Sequence, residues 1–595
     1  MVVVDARPKR QWVSRPKAWR PDVILAVAAP ALFLAVAGYQ RRWMSDDGFI
    51  NMRVVQNLLS GHGPVFNQGE RIEVATSPLW VYLVAAFKQV FRVELEYVFI
   101  AVGVVCTAGG MVAASCGAVL IARRSGRHLW LPAGAIVYAA LTPAWDFTTS
   151  GLDGSLAVAW IGLSVLLLAQ AEYRPESPGA MGAAFVIGLA PLVRPDLTVM
   201  GAVLFLALLG LERRRGWRRV ALLFGVGAAV PVLYQLFRMG YYGIIVPNTA
   251  IAKEATQWRS DQGYAYLDDF ATAFGLGLPL VAALVVALTV LVVLVVSGQR
   301  RRLVPLVAPL VGGLLHGAYI VAAGGDFMSA RLLLPTVFAL IAPVSVVAVP
   351  LPRLARRWLP AMALTTAPVV VIGSWAYICA NHYGLPYEGV GPKGIADERD
   401  FYTDIAQHEN PVLLDDYKRI EPYRVAMTGN VLLSRDQKIV CVLPVHGCAA
   451  PPPPVSVRWR VSADVVLAHG NIGVPGAGTP LHLHVADPAG LGDPLAARAF
   501  LHARGRPGHE KNLRGEWMYA RFAEPGAPTP PPFDPAKVET ARAVLSCPQW
   551  QEIEQAVSEP MSVGRFFKNL FGAFGRTSLR VDTENPPTDC HFSHG

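Results

Sequence analysis

Two adjacent carboxylates, Asp46 and Asp47, come shortly after an apolar run at residues 23–39. Carboxylates crowded at a membrane surface are costly unless a cation, a proton or a substrate group lies against them. An aspartate can also cap a helix by accepting backbone N–H groups, and residues 48–59 could form such a helix. Because one cap needs only one aspartate, the pair predicts a polar functional site with Asp46 and Asp47 as its catalytic candidates.

Other polar residues have the types that a substrate with a lipid half and a polar half would need, and polyprenyl-phosphate sugars are of this kind. Arginine and lysine bind phosphate, and amide or carboxylate oxygens accept hydrogen bonds from sugar hydroxyls. A carboxylate near the anomeric carbon can deprotonate an acceptor hydroxyl or stabilise oxocarbenium-like charge. The substrate-binding candidates are Asn67, Glu70, Glu73, Asp153, Arg194, Asp196, Arg238, Tyr242, Asn248, Lys253, Asp326 and Arg331.

Some candidates have a structural alternative. Arg194, in the sequence VRPD, lies at the end of an apolar run and can extend its guanidinium to the membrane surface. Tyr242 fits an interfacial aromatic belt better than a substrate contact, and His316 fits a hydrogen-bonded residue inside a helical bundle. The chain has no P-loop, no HExxH and no GxSxG motif, so nucleotide-driven transport and the common hydrolases lack support.

The composition excludes a soluble protein of this size. Of the 595 residues, 53% are hydrophobic and 16% are charged, which is typical of a polytopic membrane protein with a soluble part. The formal net charge is +10, but the basic residues form short clusters between apolar runs, so no nucleic-acid partner is expected. The basic N-terminus before the first apolar run predicts a retained signal anchor, with a cleaved signal peptide as the alternative.

The basic clusters give one consistent topology under the positive-inside rule. With the N-terminus in the cytoplasm, Asp46 and Asp47 lie outside, and four basic clusters between later spans return inside. Residues 78–91 are too short to cross a hydrocarbon core of about 30 Å and predict a re-entrant or interfacial segment. The eleven predicted spans are residues 23–39, 95–122, 129–145, 155–171, 180–193, 197–211, 220–237, 273–296, 303–323, 332–351 and 359–380.

The predicted topology divides the chain into a cytoplasmic N-terminus (1–22), a membrane domain (23–380) with a first outer loop at 40–94, and an outer soluble domain (381–595). Acidic residues fall outside in four loops, which predicts one polar site on the outer face. Short alternating stretches at 456–467 and 480–485 predict a mixed α/β fold for the soluble domain. Residues 563–576 predict an interfacial helix against lipid, with a core helix as the alternative; its apolar face carries Phe567, Leu570, Phe571 and Phe574.

Cysteine usage agrees with an oxidising outer compartment. Cys106, Cys116 and Cys379 lie in predicted spans, where cysteine is an ordinary small apolar residue. The soluble domain contains an even number of cysteines, which permits two disulfides. We expect the pairs Cys441–Cys448 and Cys547–Cys590, although the spacing leaves the other connectivities open.

Longer motifs resemble a known family. The acidic pair followed by LLSGHGPVFNQGERIEVATSPLW (58–80) resembles the first outer loop of GT-C glycosyltransferases that use polyprenyl-phosphate sugars. Five more stretches resemble the mycobacterial terminal β-(1→2) arabinofuranosyltransferase (AftB) family over nearly the whole chain. They are FRMGYYGIIVPNTAIAKE (237–254), GGDFMSARLLL (324–334), GIADERDFY (394–402), GLGDPLAAR (490–498) and GHEKNL (508–513).

The resemblance implies a GT-C fold of about eleven transmembrane helices with a periplasmic cap domain, in the plasma membrane. It implies decaprenyl-phosphoryl-β-D-arabinofuranose as donor and the non-reducing ends of arabinan, in arabinogalactan and lipoarabinomannan, as acceptor. The family's acidic motif corresponds to Asp46 and Asp47, and its SGLE-like loop to SGLDG, where Asp153 replaces the usual Glu. A β donor that gives a β product means net retention, so Asp47 is not assigned as a simple general base.

Three questions stay open at the level of sequence. Two aspartates could hold Mg²⁺, Mn²⁺ or Ca²⁺, but without a diphosphate the need for a cation is weaker. A GT-C enzyme with another donor, such as a mannosyl or α-arabinosyl transferase, shares the acidic loop. A transporter of lipid-linked sugars predicts inverted repeats and ionisable residues at mid-span, and neither is found. We expect a monomer surrounded by membrane lipids.

Overall fold

A computed structural model of the chain describes most of its length. The described residues are 20–123, 128–173, 179–255, 257–350, 359–420, 423, 439–442, 465–468, 471–524, 526–587 and 589–594.

The part up to residue 382 is almost entirely helical. Its described helices are α1 (Pro21–Gln40), α2 (Asp46–Leu59), α3 (Pro78–Val90), α4 (Leu95–Ala122), α5 (Ala133–Ala139), α6 (Thr142–Thr149), α7 (Gly154–Tyr173), α8 (Gly179–Gly188), α9 (Ala190–Val193), α10 (Leu197–Glu212), α11 (Trp217–Tyr241), α12 (Asn248–Ala252), α13 (Ser260–Ala273), α14 (Gly277–Val296), α15 (Leu303–Ala323), α16 (Leu334–Ile341) and α17 (Leu359–His382). Two strands, β1 (His128–Leu131) and β2 (Val347–Pro350), and 3-10 turns at Arg213–Arg215, Arg300–Arg302 and Ala342–Val344 complete this part.

Six described helices are long and apolar enough to cross a membrane: α1, α4, α7, α11, α14 and α15. Each corresponds to a predicted span, and α4 has the predicted bounds, Leu95–Ala122. The segment judged too short to cross forms α3, a helix of 13 residues. The chain is therefore a helical membrane protein.

Two of the predicted spans are not single helices. Residues 129–145 form part of strand β1 followed by the short helices α5 and α6. The described residues of the other span, 332–350, contain α16, a 3-10 turn and β2. The two strands pair antiparallel, with His128 opposite Pro350. Proline has no N–H to donate and is favoured in the first turn of a helix, and Pro132, Pro143 and Pro343 each come at the start of a new short element.

Smaller corrections apply elsewhere in the bundle. The predicted span at 180–193 is divided at Leu189, with Pro191 in the first turn of α9. The predicted span at 273–296 begins only at Gly277, because α13 ends at Ala273 and a turn follows. The full count of eleven spans stays a prediction.

The C-terminal part mixes helices with short strands. Its described elements are α18 (Glu398–Ala406), α19 (Leu414–Tyr417), β3 (Ile439–Val442), β4 (Val465–Ala468), α20 (Val474–Gly478), β5 (His484–Ala486), α21 (Pro494–Arg498), α22 (Gly515–Phe522), α23 (Pro535–Leu545), α24 (Pro548–Ser558), α25 (Val563–Ser578), β6 (Leu579–Arg580) and β7 (Ser593–His594), with a 3-10 turn at Pro392–Gly394. Strands β3, β4 and β5 form a parallel sheet in that order. The described part therefore agrees with the predicted mixed α/β fold.

One of the two predicted disulfides is confirmed. Cys547 and Cys590 are bonded, with their Cα atoms 5.6 Å apart. The pair Cys441–Cys448 stays a prediction, because Cys448 lies outside the described residues. Cys106, Cys116 and Cys379 are free thiols in α4 and α17, as predicted.

A fully buried arginine of α2 joins the membrane part to the C-terminal part. Arg53 donates hydrogen bonds to the carbonyl oxygens of Gly476, Thr479 and Leu483 at 2.6, 2.7 and 2.9 Å. A buried guanidinium is tolerated only when its donors are satisfied, so these bonds fix the two parts in one orientation.

Candidate active site

The N-terminal turn of α2 carries both predicted catalytic carboxylates. The Ser45 hydroxyl caps the helix by accepting the N–H of Gly48 at 3.0 Å, and the Ser45 N–H donates to the carbonyl of Ser150 at 2.9 Å. This second contact fixes α2 against the SGLDG loop. Consecutive helical residues point about 100° apart, so Asp46 and Asp47 face different surroundings.

Asp46 is buried against the C-terminal part. Its Oδ2 accepts the N–H of Gly473 at 3.1 Å, and its Oδ1 accepts the N–H of Val474 at 2.8 Å. A Cβ at position 473 would lie 1.8 Å from the Asp46 carbonyl oxygen, so only glycine allows this approach. Burial raises the pKa of Asp46 to about 7, although both hydrogen bonds oppose the shift. Asp46 therefore caps α20, a role that its prediction as a catalytic residue did not include.

Asp47 lines two cavities at once. The larger, of about 720 Å³, is lined by Asp47, Asp153, Arg194, Asp196, Lys253, Asp326 and Arg331 together with apolar residues such as Ile245, Val246, Tyr319 and Ile320; we call it the membrane-side cavity. The smaller, of about 170 Å³, is lined by Asp46, Asp47, Glu398, Tyr402, Asn471, Asp487, Arg506 and His509; we call it the cap cavity.

Two buried arginines organise the carboxylates of the membrane-side cavity. Arg331 lies 3.4 Å from Asp47 Oδ2 and 2.7 Å from Asp326 Oδ2. Arg194 lies 3.1 Å from Asp153 and 3.1 Å from Asp196.

The pKa values around Arg194 are set by burial and by these pairs. Burial raises the pKa of Asp153, despite the neighbouring Arg194 and Arg331. Burial would also raise the pKa of Asp196, but Arg194 and the hydrogen bond from His316 lower it overall.

Buried polar side chains behind the arginines hold them in place. His316 Nε2 lies 2.8 Å from Asp196 Oδ2 and its Nδ1 lies 2.8 Å from Thr336 Oγ1, so His316 is the hydrogen-bonded bundle residue that its sequence position indicated. The hydroxyl of Tyr266 donates to the Met328 carbonyl at 2.9 Å and accepts the Leu332 N–H at 3.0 Å, which fixes the loop that carries Arg331.

Lys253 differs from the other cations of the membrane-side cavity. Arg194, Arg331, Arg259 and Arg580 each pair with a carboxylate. No carboxylate partner is found for Lys253 among the described residues, and its side chain borders the cavity near Gly508. An unpaired cation beside a cavity is available for an anionic ligand.

Six predicted substrate-binding residues lie outside both cavities. Three belong to one buried group: Glu73 accepts hydrogen bonds from Arg238 at 2.5 Å and from the Tyr234 hydroxyl at 2.7 Å, and Tyr242 donates to the Pro64 carbonyl at 2.8 Å. Their polar atoms form the hydrogen bonds that connect α11 to the first outer loop. Glu73, Arg238 and Tyr242 therefore make structural contacts, and their contacts with sugar or phosphate stay a prediction.

The remaining three hold the C-terminal part in place. Asn67 exchanges two hydrogen bonds with the backbone of Val485, at 2.8 and 3.0 Å, and Asn248 donates to the Gly490 carbonyl at 2.8 Å. Glu70 forms a buried ion pair with Arg521. These side chains have the types that sugar recognition needs, but each already contacts the C-terminal part.

Glu398 is a site residue that the sequence reasoning did not single out. It is buried and lines the cap cavity beside Asp47. Burial raises its pKa well above the ordinary value, and the charges of Asp47 and Asp46 raise it further, which favours the neutral form that can donate a hydrogen bond. Glu398 lies in the motif GIADERDFY, which contributes to the family resemblance but does not by itself indicate a role for this residue.

The acidic pair does not fit a divalent cation. Both oxygens of Asp46 accept backbone N–H groups, and Asp47 lies beside Arg331. In the described part of the chain, no three His, Cys, Asp or Glu side chains converge as a metal site would require. We therefore derive no step through a metal ion.

Apolar helices whose loops and soluble part enclose a charged cavity define a polytopic membrane protein with a sheltered polar site. Residues 460–588 match the AftB family C-terminal domain. The chain is 34% identical, over 95% of its length and 96% of the relative, to the terminal β-(1→2)-arabinofuranosyltransferase of Mycobacterium tuberculosis. It is 33% identical, over 94% of its length and 86% of the relative, to the protein of the same name from Corynebacterium glutamicum.

No solved structure matches the chain. The two relatives and the C-terminal domain agree with each other, and the chain belongs to the family of terminal β-(1→2)-arabinofuranosyltransferases.

Proposed function

We propose that this membrane glycosyltransferase moves arabinofuranose from decaprenyl-phosphoryl-β-D-arabinofuranose to the non-reducing ends of cell-wall arabinan, in arabinogalactan and lipoarabinomannan, and forms terminal β-(1→2) linkages. Family membership makes the chain an arabinofuranosyltransferase of cell-wall arabinan synthesis. The single observation that carries the assignment of the site is that Asp47 lines both cavities. A carboxylate at such a junction can reach a donor in one cavity and an acceptor in the other.

The membrane-side cavity suits the donor. Its apolar wall, with Ile245, Val246 and Ile320, can pack against the first isoprene units. Lys253 supplies a cation for the phosphate, and Arg331 places a second positive charge next to Asp47. The sugar would then lie between the phosphate and Asp47, within reach of Asp153, Asp196 and Asp326.

The cap cavity suits the acceptor. Its volume of about 170 Å³ admits a terminal sugar and little more. Asn471, Asp487 and Arg506 offer donors and acceptors for hydroxyl groups, and Glu398 adds a neutral carboxyl donor.

The reaction breaks the bond between the anomeric carbon and the phosphate oxygen and forms a bond to the acceptor 2-hydroxyl. The phosphate leaves as a monoester dianion, and this dianion can accept the proton that the acceptor hydroxyl must lose. Net retention excludes one in-line displacement, so we assign Asp47 to the anomeric carbon, where it stabilises developing positive charge. Arg331 keeps this carboxylate in place, and no divalent cation is assigned a role.

We assign the protein to the plasma membrane as a monomer, with the first outer loop, residues 40–94, and the C-terminal part, residues 381–595, on the periplasmic face. The support is the agreement between the basic clusters and the loops that line the site: Asp47, Asp153, Asp196 and Asp326 all reach one cavity. This common location is expected only if the four loops lie on one side of the bilayer.

The test is transfer of labelled arabinose from the polyprenyl donor to a short arabinan acceptor by the purified protein in nanodiscs. Wild type is expected to extend the acceptor by one β-(1→2)-linked residue, and Asp47→Asn to lose this activity. Asp415→Asn, a change at an exposed aspartate outside both cavities, is the matched control.

A chelator is expected to leave the rate unchanged. Transfer of mannose in place of arabinose, or full activity of Asp47→Asn, would overturn the assignment.

A further inference from the structure

Helix α25, Val563–Ser578, has its polarity reversed relative to a helix on the surface of a soluble domain. Three of its four charged or amide side chains, Arg565, Asn569 and Arg576, are buried. The fourth, Lys568, is exposed and pairs with Glu552. Its large apolar side chains are exposed, with relative accessibilities of 76% for Val563, 50% for Phe567, 79% for Phe571 and 66% for Phe574. Exposure of this much contiguous apolar surface is unfavourable in water.

Buried polar contacts hold α25 in this orientation. Arg565 and Arg576 each lie 3.1 Å from Glu552 of α24, and Arg576 also donates to the Gly243 carbonyl at 3.1 Å. Asn569 donates to the Ala556 carbonyl at 3.1 Å. Rolling the phenylalanines inward would leave these charges unpaired, so their exposure is built into the fold.

The exposed face of α25 is continuous with a helix that is itself long and apolar enough to span a membrane. α25 packs on α11 so closely that a Cβ at Gly240 would lie 2.2 Å from the ring of Phe566. α11 is largely exposed along its apolar length, with Leu233 and Leu236 on its open surface. The phenylalanines of α25 therefore extend an apolar surface that lies against lipid.

The C-terminal end of α25 also borders the membrane-side cavity. Phe574, Thr577 and Ser578 line it, together with Tyr319 of α15. Because Phe574 is two-thirds exposed and also lines the cavity, it stands at the mouth. The mouth therefore opens beside the exposed apolar face.

We propose that α25 lies in the outer boundary of the bilayer, with Phe567 and Phe571 against the acyl chains, and that it forms one side of a mouth through which the membrane-side cavity opens to lipid. The occupant of this face is bilayer hydrocarbon. The consequence for catalysis, which rests on the proposed function, is that the long chain of the donor leaves the cavity past Phe574 and lies along Phe571.

The first experiment measures depth and does not depend on activity. A spin label is placed at Phe571→Cys or at the exposed Glu539→Cys of α23, in a background that keeps the Cys547–Cys590 bond and replaces the other cysteines by alanine. In nanodiscs, position 571 is expected to favour collisions with oxygen and position 539 with a water-soluble nickel complex. Equal access of the nickel complex to both positions would overturn the proposal.

The second experiment distinguishes binding of the donor's isoprenoid chain from the transfer reaction itself. Phe571→Ser is expected to raise KM roughly threefold to tenfold for the decaprenyl donor, and to leave KM unchanged for a donor with two isoprene units. Phe571→Leu keeps an apolar contact and is expected to behave as wild type. An equal loss with both donors would reject the role of this face in donor binding. Absence of transfer by wild type would instead contradict the proposed function, while the depth measurement still decides where α25 lies.

Discussion

Two clusters, each built from one arginine and the carboxylates around it, have different consequences in this molecule. Arg521 pairs with Glu70, Asp493 and Glu554, and each of these side chains is buried between the first outer loop and the C-terminal part. Arg331 pairs with Asp47 and Asp326 beside a cavity of about 720 Å³. The cluster around Arg521 borders neither cavity, and we call such positions sealed. The cluster around Arg331 borders the membrane-side cavity, and we call such positions open. Residues of the same types can therefore form a binding site or a contact between two parts of the chain, depending on whether a cavity reaches them.

The same contrast exists between neighbouring residues. Asp46 borders only the cap cavity, and both of its carboxylate oxygens accept backbone N–H groups of the C-terminal part. Asp47 borders both cavities. Substitutions of side chains that hold the two parts together should therefore lower the free energy of unfolding. Substitutions of side chains at the cavities should lower the rate of arabinose transfer.

The largest effect is expected at the open carboxylate. Asp47→Asn removes the charge assigned to the anomeric carbon and should lower kcat/KM roughly 10³-fold. The unfolding temperature should stay close to that of wild type, because Asp47 makes no contact that holds the two parts together. Steady-state kinetics and thermal unfolding on one preparation measure both, and a large drop in unfolding temperature would place Asp47 with the sealed residues.

Arg521→Gln should lower stability and leave donor binding unchanged, which is the opposite of the result expected for Asp47→Asn. It leaves Glu70 and Asp493 buried without their cation, which should cost roughly 3–5 kcal/mol of stability. Thermal unfolding of the purified protein measures the loss, and the exposed Arg514 supplies Arg514→Gln as control. In the fraction that stays folded, a wild-type KM for the donor is expected; a selective rise in KM would mean that the cluster is not sealed from the substrate.

Lys253→Gln tests the cation that has no described carboxylate partner. Loss of a charged contact to the donor phosphate should raise the donor KM about tenfold and change kcat little. Lys537→Gln, at an exposed lysine of α23, is the matched change away from the cavities. An unchanged donor KM would remove Lys253 from the phosphate site.

Glu398→Gln should have a small effect, because glutamine resembles the neutral carboxyl that burial and the charges of Asp46 and Asp47 favour. We expect kcat/KM within about threefold of wild type for Gln and a clearly larger loss for Ala, which cannot donate a hydrogen bond. If Gln were as inactive as Asp47→Asn, Glu398 would be acting as a base and not as a neutral donor.

The smallest effect is expected at Asp46, whose two carboxylate oxygens accept backbone N–H groups. Because the folded-state pKa of Asp46 is raised to about 7, the folded protein holds this proton more tightly than the unfolded chain. The resulting stability is present at low pH and is lost as pH rises through about 7. Unfolding temperatures from pH 5 to pH 8 should fall less steeply for Asp46→Asn than for wild type, and parallel curves would show that Asp46 does not titrate in this range.

Much of the architecture follows from local sequence. The bounds of α4 are set by the length of one apolar run, and the outward face of α25 by the periodic spacing of its phenylalanines. The prediction of single helices at 129–145 and 332–351 is wrong because apolar runs of this length do not show that each contains a strand. Strands β1 and β2 pair across more than two hundred residues, and a local sequence pattern does not show such a pairing.

The sequence by itself determined the apolar helices and the set of polar residues from which a site could be built, because these depend on composition and short-range spacing. It gave Cys547–Cys590 as one of several possible pairings, and the folded structure decided between them. Only the tertiary structure decided which members of that set remain open. Asn67, Asn248 and Arg238 form hydrogen bonds with partners far away in the chain, whereas Asp47 and Lys253 border space that folding leaves unfilled. The physical reason is that hydrogen-bond satisfaction and burial are properties of distant contacts, which no local pattern encodes.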